Sequence, residues 1–175
     1  RIGLSQPAGF TTDADARAAL WHLRKGLYAS VAGARPQGTT ALLEDVVVPV
    51  PALGRTCTAL TQLFDRYDYR DSVIFGHAKD GNVHFLITDR FAGDESLRRY
   101  ADFTEEMVEL VLGHGGSLKA EHGTGRIMAP FVQRQYGDEL YRTMWDVKLA
   151  CDPDQILNPG SVLTEDPELH LKNIK

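Results

Sequence analysis

The chain has 175 residues, of which 43% are hydrophobic and 25% charged, enough apolar material for the core of one domain or one and a fraction. A formal net charge of -5 at pH 7, with a pI near 5.6, excludes a surface built to neutralise phosphates, and the short basic clusters Arg24-Lys25 and Arg98-Arg99 do not change that. No apolar run approaches the roughly eighteen residues of a membrane span, and the opening RIGLSQPAGF lacks the apolar core of a signal peptide.

Residues 12–32, TDADARAALWHLRKGLYASVA, predict a helix opened by Thr12 or Asp13 as N-cap, with Ala16, Leu20, Leu23 and Leu27 on one stripe. RPQGTT ends it, and the β-branched density of ALLEDVVVPV predicts a buried strand. Pro51 starts the next helix, whose apolar positions Leu53, Cys57, Leu60, Leu63 and Phe64 recur at helical spacing as far as Tyr67. DSVIFGHAKDGNVHFLITD predicts two strands about a tight Asp80-Gly81 turn, a dipeptide suited to the positive φ angles of type I′. Residues 94–114 predict a long amphipathic helix, and GGSLKAEHGTGR a short strand entering a glycine-shaped loop. Two further helices are expected over 127–136 and 138–151, then the turn-rich DPDQILNPG and a polar, exposed tail after Leu163. This order predicts an α+β fold, an antiparallel or mixed sheet flanked by helices. Cys57 and Cys151 form no CxxC pair, so neither a zinc ribbon nor an iron–sulfur cluster can be built within the segment, and a reducing cytoplasm fits best.

Two of the six histidines flank the hairpin turn. With Asp80 and Gly81 as the loop, Lys79 pairs with Asn82, Ala78 with Val83 and His77 with His84. Directly opposed β-carbons lie about 4.5–5.5 Å apart, a separation from which two imidazoles can converge on one ion at about 2.0–2.1 Å. Glu121, at the mouth of the loop in KAEHGTGR, would complete a two-histidine, one-carboxylate set with positions left open for substrate and water. His122 would then be free as an acid or base, since an imidazole's unperturbed pKa near 6.5 suits proton transfer at neutral pH. The plain alternative is a pair of polar residues on a solvated hairpin beside an exposed loop. Gly123 and Gly125 lack the third glycine and the strand-to-helix spacing of a dinucleotide fingerprint, and no P-loop, GxSxG elbow or HExxH helix is present.

FGHAKDGNVHF, LKAEHGTGR and DPDQILNPG, in that order, resemble the C-terminal cap or substrate domain, ferredoxin-like in fold, of FAD-linked oxidases that act on D-lactate, glycolate or D-2-hydroxyglutarate. The resemblance spans residues 1–163, with 164–175 as an exposed tail. LWHLRKGLYASV, GTTALLEDVVVPV and HLKNIK are most similar to the long form, in which an iron–sulfur region follows the flavoprotein part. It implies that His77, His84 and Glu121 hold a divalent metal, zinc or manganese, and that His122 is the catalytic base. Arg24 would meet the substrate carboxylate, with Lys25 and Arg126 as second candidates, while Asn82, Asn158 and Gly160 lie near the cofactor. The implied reaction oxidises the α-hydroxyl of a D-2-hydroxy acid to a 2-oxo acid, with hydride transfer to FAD.

The resemblance also implies partners: a 2-hydroxy acid, the FAD domain of the same polypeptide and an electron acceptor it does not identify, with no nucleic acid. An iron–sulfur cluster would belong to the full-length protein, cytoplasmic or peripheral at the inner face of the membrane. Tyr28 and Leu43 stand where hydroxyglutarate-specific relatives would carry small polar or basic side chains, which argues against recognition of a second carboxylate. The FAD-binding domain and the first part of the cap are expected before Arg1, so the segment alone is expected to bind no FAD and turn over no substrate, to retain the metal, and to self-associate through exposed edges. A flavin-independent metal-dependent hydrolase and a non-catalytic interaction module are the alternatives.

Overall fold

The computed structural model describes Gly9 and residues 11–174; the rest of the opening RIGLSQPAGF, apart from Gly9, lies outside the described residues. The chain divides into two compact units, residues 1–37 and 38–175.

The first unit is built on α1 (Ala14–Gly33). Of the two N-cap candidates, Asp13 does the capping, its carboxylate accepting the Ala16 N–H at 2.8 Å. No residue of α1 is buried, and Leu20 and Leu23 of its apolar stripe are 61% and 68% exposed.

The second unit is α+β. Strands β1 (Thr40–Val47), β2 (Val73–Phe75) and β3 (Asn82–Asp89) form an antiparallel sheet with β3 in the centre. Alternation along β3 sends Val83, Phe85 and Ile87 into the core with Val46 of β1. There they meet Leu60, Leu63 and Phe64 of α2 (Leu53–Arg66) and Phe103, Met107 and Val108 of α3 (Asp94–Gly113). Phe64 lies 5.6 Å from Phe85 and 6.0 Å from Phe103 between ring centroids. Each such large side chain, fully buried, contributes roughly 1.5–3 kcal/mol. The opposite face of the same strands carries Asp45 of β1 and Asn82 and His84 of β3.

Pro51 lies in a single 3-10 turn, Val50–Ala52, that leads into α2. α4 (Val132–Cys151) is broken at Gly137, whose φ of 81° and ψ of 166° are not helical, at the point where the sequence separates its last two helices.

Four expectations need correction. The hairpin register is shifted by two: Phe75, not His77, pairs with His84, and Ile74 pairs with Phe85. The connection is no two-residue turn but a loop with a 3-10 turn at Ala78–Asp80, ended by Gly81 at φ 72°. The short strand expected at GGSLK reduces to one bridge, Ser117 with Val47, which brings the following loop along the free edge of β1. The tail is not wholly exposed, because a 3-10 turn at Leu169–Leu171 buries Leu169 and His170 against the core. Among the described residues no helix is long and apolar enough to cross a membrane, and both cysteines are free.

Candidate metal centre

Three segments meet on the face of the sheet away from α2 and α3. β3 supplies His84, 4% exposed and fixed by the ladder. The loop before β3 supplies His77, and the loop running past the β1 edge supplies Glu121 and His122. Glu121 Oε1 lies 2.8 Å from His84 Nε2 and 3.2 Å from His77 Nε2. Ligand atoms bound to one ion at 2.0–2.2 Å stand about 3.3–3.5 Å apart in tetrahedral geometry, so the donors are gathered at close to the spacing an ion requires. The His77 and His84 rings are 5.6 Å apart and nearly perpendicular; those of His84 and His122 are stacked at 4.8 Å. The imidazoles thus converge although the predicted cross-strand pairing does not form, because the loop carries His77 back over the end of the hairpin.

Beside His77 and Glu121 is a groove of about 490 Å³, lined by these two with Val47, Asp80, Asn82, Lys119 and Ala120, a size suited to a small metabolite. Desolvation holds His84 below the usual histidine range, with the His122 ring acting in the same sense and the Asp45 and Glu121 carboxylates opposing. A neutral imidazole is the form that ligates metal.

Behind the donors is a residue that the sequence reading passed over. Asp45, 0% exposed, stands opposite His84 in the β1–β3 ladder. Burial works to raise its pKa, but the N–H groups of His122, Glu121 and Ala120 and the Asn82 amide hold it below the ordinary carboxylate range. The available signal was an acid inside the apolar run ALLEDVVVPV, since a buried carboxylate requires partners. Its neighbour Glu44 points to the other face, as alternation demands, and is met at 2.6 Å by Lys119. Burial pushes the Glu44 carboxyl up, against the pull of Lys119.

The other predicted residues are placed differently. The Asn82 amide lines the groove and is engaged within the fold: it donates to Asp45 Oδ1 at 2.7 Å and accepts from the His77 N–H at 3.4 Å. Arg126 stands apart from the groove and donates to the Pro159 carbonyl at 3.5 Å, while the Val162 N–H donates to Gly125 O at 2.9 Å. The GTGR and LNPG motifs are thereby joined, with Asn158 at φ 46° and Gly160 at φ 74° forming the turn. Arg24 and Lys25 lie on α1 in the first unit, where the Arg24 guanidinium sits 5.6 Å from the Trp21 ring centroid.

Comparison with known proteins bears on this arrangement. The model of the family described as "FAD linked oxidases, C-terminal domain" matches residues 3–162. The chain is 31% identical over 148 residues to glycolate oxidase subunit GlcD of Bacillus subtilis (strain 168), covering 85% of this chain and 31% of that one. It is 31% identical over 155 residues to the mitochondrial D-lactate dehydrogenase (cytochrome) of Arabidopsis thaliana, covering 88% and 27%. With GlcD of Escherichia coli (strain K12) it shares 32% over 154 residues, 88% and 30%. The chain therefore spans less than a third of the length of these curated relatives.

Proposed function

We propose, since the chain belongs to the family of FAD linked oxidases, C-terminal domain, that it supplies the substrate- and metal-binding part of a flavin-dependent enzyme oxidising a D-2-hydroxy acid, D-lactate or one like it, to the 2-oxo acid. The observation that carries this reading is the convergence of His77 Nε2 and His84 Nε2 on one Glu121 oxygen beside an open groove. These three side chains would hold a divalent ion, zinc or manganese. Such an ion would supply a Lewis acid that lowers the pKa of an α-hydroxyl, and FAD, held mainly by another domain of the polypeptide, would supply the hydride acceptor.

The chain's own residues do the rest. His122, exposed and stacked on His84, takes the hydroxyl proton. Arg24, or Lys25 or Arg126, offers a cation for the substrate carboxylate, and a guanidinium fork matches it in two hydrogen bonds. Asn158 and Gly160 form the turn that would approach the flavin. Leu43 lies on the same sheet face as Asp45 by alternation and pairs with Leu86, an apolar wall that favours a substrate without a second carboxylate. For the whole protein the proposal includes the iron–sulfur region of the long form, testable by its iron content.

Elemental analysis of the dialysed chain beside a His77→Ala, His84→Ala double variant tests the metal centre. Near-stoichiometric zinc or manganese, lost in the variant, is expected; equal metal in both proteins would overturn the ligand set. Turnover of D-lactate by the full-length protein, with bleaching of its flavin, tests the reaction. Hydrolysis of an ester or phosphate panel by the chain alone would instead favour a flavin-independent hydrolase.

A further inference from the structure

Asp45 touches more parts of the site than any residue given a role above. Its Oδ2 accepts three consecutive backbone N–H groups, from Ala120 at 3.1 Å, Glu121 at 2.7 Å and His122 at 2.8 Å. Its Oδ1 accepts from Asn82 Nδ2 at 2.7 Å and lies 3.3 Å from His84 Nδ1. Asn82 in turn accepts the His77 N–H. One buried carboxylate is thus bonded to the backbone of Glu121 and His122, set against His84, and linked through one amide to His77.

The approach to His84 Nδ1 is longer and less well aligned than an ordinary N–H···O bond, and no described residue offers that buried nitrogen another hydrogen-bond partner. A buried ring nitrogen without a partner is unfavourable, and its charged neighbour is acceptor-only. A neutral imidazole carries one N–H and one lone pair. With the proton on Nδ1, facing Asp45, the lone pair falls on Nε2, 2.8 Å from Glu121 Oε1, an arrangement that a cation shared by the two makes favourable. With the proton on Nε2, that nitrogen would donate to Glu121 and could bind no metal, so the Nδ1–H form is the one a loaded site requires.

We propose that Asp45 is a positioning residue: it holds His84 as the Nδ1–H tautomer and anchors the 120–122 backbone from which Glu121 and His122 project. The inference deepens the reading of His77, His84 and Glu121 as a metal centre and rests on it, because Nδ1–H is the tautomer that the loaded site requires. Paired carboxylate and ligating imidazole is a recurrent arrangement, and loss of such a partner lowers metal affinity about 10- to 100-fold.

The test is an Asp45→Asn variant examined by zinc titration against a chelating competitor, with long-range 1H–15N correlation of the histidine rings in the zinc-loaded chain. If the asparagine oxygen keeps the three loop amides, its NH2 faces two donors, the Asn82 amide and the Nδ1–H of a loaded His84. The expected result is Nδ1–H on His84 in the loaded wild type and, in the variant, unchanged circular dichroism with a zinc Kd raised 10- to 100-fold. A folded variant that binds zinc as tightly as the wild type would overturn the proposal and leave the metal reading intact. So would Nε2–H on His84 in the zinc-loaded wild type, a measurement that decides the matter even if the variant does not fold. A wild type that binds no zinc would sink the metal reading and the proposal with it.

Discussion

Gly81 lies against Val48 so closely that a β-carbon on it would stand 1.9 Å from the Val48 carbonyl oxygen, while the Gly81 carbonyl accepts the Val48 N–H at 3.0 Å. This contact fixes where the loop carrying His77 rejoins β3.

Gly81→Ala should accordingly destabilise the fold by more than the roughly 1–3 kcal/mol of a left-handed residue, because its φ of 72° is joined by a backbone collision. Gly125→Ala, at φ 57° with nothing within 4 Å, should cost only the backbone penalty, about 1 kcal/mol. Urea midpoints of the two variants decide: equal values would mean that the Gly81–Val48 contact relaxes freely.

Lys119 and Glu44 form an ion pair whose side chains are 11% and 1% exposed, and the second Glu44 oxygen has no hydrogen-bond partner among the described residues. Lys119→Met should cost about 3–5 kcal/mol near neutral pH by leaving a buried charge unpaired, and Glu44→Gln added to it should recover most of that loss. The sign of the pH dependence follows from burial. A carboxyl whose folded pKa is raised binds more protons folded than unfolded, so stability falls as pH rises through the titration. The single variant should therefore gain stability on acidification relative to the double one. Parallel stability profiles for the two would show that folding does not raise the Glu44 pKa in the single variant.

His122 and Glu121 are neighbours with separable effects. In the full-length protein, His122→Asn should leave metal content unchanged and lower kcat about 10²- to 10⁴-fold, the usual range for loss of a general base. Glu121→Gln should lower metal content as well. Metal lost equally from both variants would place His122 among the ligands, where its stacking on His84 leaves room for a second arrangement with Asp45.

Much of the second unit was legible because its elements are locally specified. Pro51 before a period-3.6 run and Gly137 between two helices mark boundaries through backbone chemistry alone. The hairpin register was not, because Asp80-Gly81 satisfies a two-residue turn locally, whereas the register is set by which of Phe75 and His77 can lie beside His84 once Gly81 is held at Val48. Asp45 was hidden for a related reason. Its partners are 37 to 77 residues away in sequence, and only the β1–β3 ladder and the Ser117 bridge bring them together. The tail was misread because His170 counts as polar in a composition argument, while its ring packs as an aromatic body against Phe131.

His170 also gives stability a pH dependence of its own. Both its ring nitrogens are buried and find at best a weak backbone partner at Pro167 among the described residues, with the ring 5.1 Å from Phe131 and 6.3 Å from Tyr100 between centroids. Burial, against the opposing pull of Glu105 and other acidic neighbours, holds its pKa below the ordinary histidine value. The unfolded chain takes up a proton near pH 6.5 that the folded one excludes, so this contribution is complete above that pH and is lost as pH falls toward the folded pKa. His170→Phe, which fills the same aromatic site, should unfold less readily than the wild type at about pH 5 and match or exceed it by about 1–2 kcal/mol at about pH 8, where two poorly partnered nitrogens have been removed. Urea denaturation at the two pH values checks this, and a wild-type acid sensitivity retained in full by the variant would assign it to another group, with His84 the next to substitute.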